Sequence, residues 1–158
     1  MRLLITSDSH RNIAALHRAA EAAKPFDAFI FLGDVESDYN EISMYLAGIS
    51  TYAVRGNNDY NSMLRAVSVV ELGGCRFMLT HGHRYGIWNG FSGLAAAAEL
   101  NNCTVALFGH THCRYFSEEN GVYLFNPGSV SLPRDGKPPS YGVITVEDGK
   151  PDFFHFDL

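Results

Sequence analysis

The chain has 158 residues, 46% of them hydrophobic and 18% charged, which predicts one domain, residues 1–158, with a sizeable buried core. Its net charge of −5 argues against a surface for nucleic acid or anionic membranes. No apolar stretch approaches the ~20 residues of a membrane span, and the chain enters a strand-like run at once, so we expect no signal peptide. The three cysteines are widely spaced without a C-x-x-C pair, which favours a reduced, cytoplasmic protein.

The first part of the chain alternates predicted strands and helices. This β-α-β-α-β order predicts parallel pairing with right-handed crossovers. Asn12 or Ser9 can cap the first helix, and the second helix is expected to begin near Asp38 or Asn40. In chain order, the elements are a strand from Arg2 to Thr6, a helix with Ile13, Leu16, Ala20 and Ala23 on one face, a strand from Ala28 to Leu32, a helix with Ile42, Tyr45, Leu46 and Ile49 on one stripe, and a strand from Thr51 to Val54.

The rest of the chain is richer in strands. Because helices are set among strands throughout, two mixed sheets packed on each other with helices outside, an α/β (α+β) sandwich, fit better than one open sheet. The elements are a hairpin of Val67 to Leu72 and Cys75 to Leu79 around Gly73-Gly74, a helix from about Phe91 to Leu100, and strands at Val105 to Phe108, Arg114 to Ser117, Val122 to Phe125, Tyr141 to Val146 and Asp152 to Phe156.

Five predicted strands end in side chains that can bind metal ions. These are Asp8 and His10, Asp34, Asn57, His81, and His110 and His112. Asp-x-His and His-x-His place two side chains on one side of an extended segment, because strand side chains alternate, so one ion could take both. The set exceeds what one ion needs, and we predict two. Mixed nitrogen and oxygen ligands suit manganese, iron, zinc, cobalt or nickel, and Asp34, alone on its strand end, is the best candidate for a bridging carboxylate.

Two ions about 3.5–4 Å apart favour one reaction. They lower the pKa of a bridging water toward neutrality, and they neutralise phosphate oxygens during an in-line attack. Phosphoester hydrolysis uses both effects. Asn57 is a neutral oxygen ligand, which keeps the total ligand charge low and the ions Lewis-acidic.

The ordered motifs resemble the signature of the calcineurin-like metallophosphoesterases, and two further runs resemble its small single-domain phosphodiesterases of bacteria and archaea. The motifs are Asp8-x-His10, Gly33-Asp34, Gly56-Asn57-x-Asp59, His81-Gly82 and Gly109-His110-x-His112, and the runs are Ala53 to Asn57 and Asn126 to Ser129. The resemblance implies a four-layer αββα sandwich and hydrolysis by a metal-bridging hydroxide. It also implies one ion on Asp8, His10, Asp34 and His112, and the other on Asp34, Asn57, His81 and His110.

One position departs from the family pattern. Many members have a histidine after the Gly-Asn pair that is thought to protonate the leaving group, but this chain has Asn58, whose amide is no general acid. Either the substrate has a good leaving group, or His83 or Asp59 supplies the proton. Asn58, Asp59 and His83 are therefore the candidate catalytic residues. His83 could also be a plain loop residue, and Asp59 could instead orient Asn58 or cap the next helix.

The sequence gives less specific predictions for several other residues. Substrate choice is expected to depend on cleft walls near Tyr85, Trp88, Phe91 and the loop from Pro133 to Ser140. Any of three arginines could clamp phosphate with its fork of donors, or be structural. They are Arg11, Arg55 and Arg84, whereas His17 and His155 are predicted to be structural.

The leading hypothesis is a phosphodiesterase that acts on a small phosphoester and binds two divalent ions, manganese first, with iron, zinc, nickel or cobalt as alternatives. One alternative is a non-catalytic metal-binding scaffold of the same fold that binds protein partners, as a retromer subunit does. Another is a phosphomonoesterase, a protein phosphatase or a nuclease. We expect no nucleic-acid or membrane partner, and a homo-oligomer is left open.

Overall fold

The computed structural model describes all residues, 1–158, and consists of two five-stranded sheets with three α-helices. The elements are β1 (Arg2–Thr6), α1 (Ile13–Ala23), β2 (Ala28–Phe31), α2 (Glu36–Tyr45), β3 (Ser50–Ala53), β4 (Val67–Leu72), β5 (Cys75–Thr80), a 3₁₀ turn (Ile87–Asn89), α3 (Ser92–Leu100), β6 (Val105–Leu107), β7 (Arg114–Glu119), β8 (Val122–Pro127), β9 (Ser140–Glu147) and β10 (Lys150–Asp157). No helix has the length and apolar character needed to cross a membrane.

Both sheets are mixed. The first has the strand order β10-β9-β1-β2-β3, in which β1, β2 and β3 run parallel and β9 is antiparallel to β1. The second has the order β4-β5-β6-β8-β7, with parallel β5, β6 and β8 between two antiparallel edge strands. The parallel pairing predicted for the first three strands and the predicted hairpin at Gly73-Gly74 are confirmed.

The sheets pack face to face, and helices cover their outer faces. Along β1, Leu3 and Ile5 point into the layer between the sheets, whereas Leu4 points to α1 and α2, as the alternation of a strand requires. On the far side, α3 buries Leu94 against the outer face of the second sheet. The predicted αββα sandwich is therefore confirmed, and burial on both faces explains why the central strands are continuous apolar runs.

The second helix differs from its prediction at both ends. It begins at Glu36, before Asp38, because the Asp59 carboxylate accepts a hydrogen bond from the Glu36 N–H at 2.8 Å. At the other end, the Tyr45 side chain is 48% exposed and bonds Glu21 on the surface, so its expected place on the buried stripe was wrong. The first helix is capped as predicted, by Asn12.

Candidate metal centre

The metal-type side chains lie in loops that follow the carboxyl ends of parallel strands. Loops after β1, β2 and β3 in one sheet meet loops after β5 and β6 in the other. Five of the side chains form two groups that share Asp8, each with all its ligand atoms within 4.8 Å of one another. One group is Asp8, His10 and His112, and the other is Asp8, Asp34 and His81.

The first group sets two imidazoles beside a carboxylate. The Nε2 atoms of His10 and His112 are 3.1 Å apart, and Nε2 of His112 lies 3.3 Å from Oδ1 of Asp8. Nδ1 of His112 donates to the Leu132 carbonyl at 2.7 Å, so the lone pair of the neutral ring is on Nε2. Two ring nitrogens this close are satisfied either by a proton on Nε2 of His10, which then donates to His112, or by a cation between the rings.

The second group surrounds the fully buried His81. Its Nδ1 donates to the Leu32 carbonyl at 2.7 Å, which leaves the Nε2 lone pair of the neutral ring facing the site. Around Nε2 lie Oδ1 of Asn57 at 3.1 Å, Oδ1 of Asp34 at 3.5 Å and Oδ1 of Asp8 at 3.8 Å. Electron-pair donors thus converge on one point from three loops.

The Asp8 carboxylate shows that these residues fit a divalent cation. Oδ2 accepts the His110 N–H at 3.0 Å, but Oδ1 is buried without any hydrogen-bond partner. A buried charged oxygen without a partner is costly, and the ring nitrogens of His112 and His81 lie 3.3 Å and 3.8 Å from it. Burial raises the pKa of Asp8, but the hydrogen bond from His112 and the charges of His81 and His112, when these rings are protonated, outweigh it and hold the pKa below its usual value. A positive charge beside Asp8 therefore favours its anion. With nitrogen and oxygen donors and no thiolate among them, the set suits borderline transition metals.

One predicted ligand stands slightly apart from these groups. Asn57 adjoins the second group, with Oδ1 3.1 Å from Nε2 of His81, whereas His110 belongs to neither group. The His110 ring centroid is 5.1 Å from that of His81 and 5.9 Å from that of Trp88. Burial lowers the pKa of His110, which favours the neutral ring that a metal ligand must have. The ligand role of all seven residues remains a prediction.

The expectation about the Asp-x-His and His-x-His pairs was wrong in its geometry. These residues are not in extended strands, because φ is +56° at Asp8, +46° at His10, +69° at His110 and +59° at His112. All four lie in left-handed turns just after the strands, so period-two alternation does not apply. The sheet edge and the turn conformation bring the side chains together, and the two pairs differ: Asp8 and His10 share a group, whereas His110 and His112 do not.

Asn58 and Asp59 hold loops together. Asn58 donates to both oxygens of Asp34, from Nδ2 at 2.6 Å and from the backbone N–H at 3.1 Å. Asp59 accepts N–H groups of Gly56 at 2.7 Å, Asp34 at 3.2 Å and Glu36 at 2.8 Å. It therefore caps the preceding helix, α2, and not a following one, and both its oxygens are already occupied as acceptors.

His83 lies behind His81, with ring centroids 5.5 Å apart, and its buried Nδ1 has no hydrogen-bond partner. Burial lowers the pKa of His83, so the neutral form dominates at pH 7. A neutral imidazole is a better proton acceptor than donor. The catalytic roles of Asn58, Asp59 and His83 remain predictions.

Sequence reasoning missed the cleft beside the centre. It has a volume of about 440 Å³ and is lined by His10, Arg11, Val35, Asn58 and Tyr60. Of the expected walls, Trp88 does contact His110, whereas Phe91 packs on Tyr115 with ring centroids 4.1 Å apart. The position of Tyr60, directly after the Gly56 to Asp59 motif, was the available signal.

Two polar residues outside the predicted set support the ligand loops. Fully buried Asn126 donates from Nδ2 to the Gly109 carbonyl at 2.8 Å and so fixes the loop of His110. The Ser129 hydroxyl, also buried, donates to the Asp8 carbonyl at 2.8 Å.

A two-sheet sandwich whose loops gather carboxylates and imidazoles at one edge defines the class of metal-dependent phosphoesterase folds. The chain belongs to the calcineurin-like phosphoesterase superfamily: the model of the "Calcineurin-like phosphoesterase superfamily domain" matches residues 1–149.

Named relatives agree with this family. The chain is 31% identical over 155 residues to the probable metallophosphoesterase YsnB of Bacillus subtilis, covering 94% of this chain and 86% of YsnB. It is 31% identical over 172 residues to the phosphodiesterase YfcE of Escherichia coli, covering 91% and 87% of the two chains.

Solved structures share the fold. The structure of YfcE, a phosphoesterase from E. coli, matches with a TM-score of 0.69 at 27% identity over 92% of this chain and 88% of that one. Vps29 from Entamoeba histolytica, complexed with zinc, matches with a TM-score of 0.78 at 20% identity over 99% of both chains. The second likeness is one of fold alone.

Proposed function

We propose that this protein is a phosphodiesterase that hydrolyses a small phosphoester with water activated by two divalent ions, manganese first. The observation that carries the proposal is the buried Oδ1 of Asp8, which has no hydrogen-bond partner and lies 3.3 Å from His112 and 3.8 Å from His81. The names of the relatives YsnB and YfcE support the reaction class.

The ligand set divides around Asp34. Its Oδ1 lies 3.5 Å from His81 and its Oδ2 lies 3.9 Å from His10, so one oxygen faces each side of the centre. This supports Asp34 as the bridging carboxylate. One ion would be held by Asp8, His10, Asp34 and His112, and the other by Asp34, Asn57, His81 and His110.

Two such ions, when bound, supply the charge that lowers the pKa of water and neutralises phosphate oxygens. The residues of the chain fix the orientation of the predicted ligands. The carbonyls of Leu32 and Leu132 orient His81 and His112, and Asn58 donates a hydrogen bond to Asp34. Lone pairs held in place by such contacts need little rearrangement when charge develops on the substrate.

The test is metal-dependent turnover of a chromogenic aryl phosphodiester and of the matching monoester. Metal-stripped protein reloaded with manganese should hydrolyse the diester faster than the monoester, and the name of the relative YfcE, a phosphodiesterase, supports this expectation. Asp34→Asn and His81→Ala should each lower kcat by about 100-fold or more. Even replacing a residue that only hydrogen-bonds a metal ligand lowers metal affinity or activity by about 10–100-fold. His17→Ala is the matched control, a histidine on α1 that packs against Tyr45.

Different failures point to different conclusions. Faster turnover of the monoester would make the protein a phosphomonoesterase. No turnover with any divalent ion, in protein shown to bind two, would refute the esterase and favour the non-catalytic scaffold. Location in the cytoplasm, the choice of manganese and any homo-oligomer remain predictions of the sequence.

A further inference from the structure

The cleft beside the metal centre has more features than metal binding requires. Of its five lining residues only His10 is a predicted ligand, and Asn58 contacts Asp34. The remaining three, Arg11, Val35 and Tyr60, bring a cation, an apolar side chain and an aromatic ring to one opening of about 440 Å³. This volume accommodates a substrate group attached to a phosphate at the centre.

Arg11 is the only cationic side chain that lines the cleft. Its guanidinium forms no ion pair and no hydrogen bond, although its backbone N–H donates to the buried Asp38 carboxylate at 2.8 Å. Asp38 also accepts the Ser9 hydroxyl at 2.7 Å, so the turn is anchored on α2. Arg11 has φ of +66°, a conformation that costs free energy for a residue with a side chain. The fold thus holds an unpaired guanidinium directly after the predicted ligand His10.

Tyr60 contributes an unusually exposed ring. Its side chain is 86% exposed, and it has neither an aromatic neighbour nor a hydrogen bond to its hydroxyl. The ring therefore adds nothing to the core, yet it borders the cleft two residues after Asn58. A free aromatic face of this kind stacks planar groups such as nucleobases.

We propose that Arg11 and Tyr60 recognise the substrate, and that the cleft takes the arm of a phosphodiester that remains on the phosphate after hydrolysis, a planar aryl or nucleoside group. Tyr60 stacks on the arm, and Arg11 places its fork of N–H donors on a phosphate oxygen. This inference rests on the proposed function, and it specifies the substrate class for that same site.

The test compares three diesters with the same leaving group, p-nitrophenolate, and different second arms: thymidine 5′, phenyl and methyl. With manganese-loaded protein, kcat/KM should be about tenfold higher for the two aromatic arms, the range expected for one stacked base. A higher value for thymidine than for phenyl identifies a nucleoside substrate, and the reverse identifies an aryl one.

The variants assign the preference to residues. Tyr60→Leu should bring the aromatic esters close to the methyl ester, and Tyr60→Phe should keep the preference. Arg11→Met should raise KM for all three esters by about tenfold, with a smaller effect on kcat. Met63→Ala is the control, because Met63 is 95% exposed and does not line the cleft. Equal kcat/KM for the three esters, or a preference that survives in Tyr60→Leu, would overturn the inference.

Calorimetric titration separates this inference from the proposed function. Thymidine 5′-phosphate should bind manganese-loaded protein about tenfold more tightly than methyl phosphate, and Tyr60→Leu should abolish the difference. If no ester is hydrolysed but this difference is present, the proposed function fails and the recognition role stands. If the esters turn over but neither kcat/KM nor affinity favours the aromatic arm, the recognition role fails and the hydrolase stands.

Discussion

Replacing Asp59 by alanine should destabilise the fold, even though the residue was predicted as a catalytic candidate. Its carboxylate accepts three backbone N–H bonds, from Gly56, Asp34 and Glu36. Hydrogen bonds to a charged acceptor contribute about 1.5–3 kcal/mol each. Because Asp59 is only half-buried, water can replace part of them, and we expect a loss of about 3 kcal/mol in the free energy of unfolding. In a domain of this size, that lowers Tm by about 6–12 °C.

The assay is thermal unfolding of metal-free protein in a chelator, so that loss of metal affinity does not contribute. Asp27→Ala is the matched control, since the exposed Asp27 accepts one backbone N–H, from Arg2. Its loss should stay below about 1 kcal/mol. An Asp59→Ala protein that melts within 2 °C of the wild type would refute the reasoning that Asp59 ties the loops of Asp34 and Asn57 to α2.

Three further outcomes follow from the site and the core. Gly56→Ala should abolish metal binding at the centre, because its Cβ would lie 1.9 Å from Oδ1 of Asp34. Gly93→Ala, whose Cβ would have no contact under 3.5 Å, is the control. Full metal content in Gly56→Ala would contradict this prediction. Manganese at 100 times its Kd should raise Tm by about 5–11 °C, equivalent to about 2.7 kcal/mol, and an undiminished shift in Asp8→Asn would exclude Asp8 as a ligand. Burial lowers the pKa of His155 from 6.5, so below about pH 6.5 the unfolded chain binds a proton more readily than the folded chain does. The free energy of unfolding therefore decreases as the pH falls below 6.5. Metal-free His155→Gln should therefore lose less Tm than the wild type between pH 7.5 and 5.5, and equal losses would contradict it.

Sequence reasoning worked where the physics is local. Strands such as β1 and β2 are apolar runs bounded by turn residues, and helix α1 has both its apolar face and its cap in the sequence. These signals predicted the two sheets, their helical layers and the strand ends at which the metal-type residues lie. The start of α2 was missed because its cap, Asp59, comes 23 residues later in the chain.

The arrangement within the site was less predictable for the same reason. That Asp8 would have a buried oxygen without a partner depends on loops from both sheets, and no local pattern shows it. The cleft was missed because Arg11 and Tyr60 are 49 residues apart, and only the β1–β2–β3 pairing makes them neighbours. Residue type predicted the chemistry of the centre, whereas tertiary packing decides which side chains of the protein come together to bind the substrate.

The backbone around the centre explains why so many polar contacts converge there. Positive φ occurs at five predicted ligands, Asp8, His10, Asp34, His110 and His112. A left-handed residue costs about 1–2 kcal/mol, somewhat less for aspartate, so the five together cost on the order of 5 kcal/mol, comparable to the net stability of a whole domain. The bonds from Asn58, Asn126 and Ser129 to these loops offset part of that cost. The proposed convergence of these five side chains on metal ions gives a reason for so many left-handed residues in neighbouring loops.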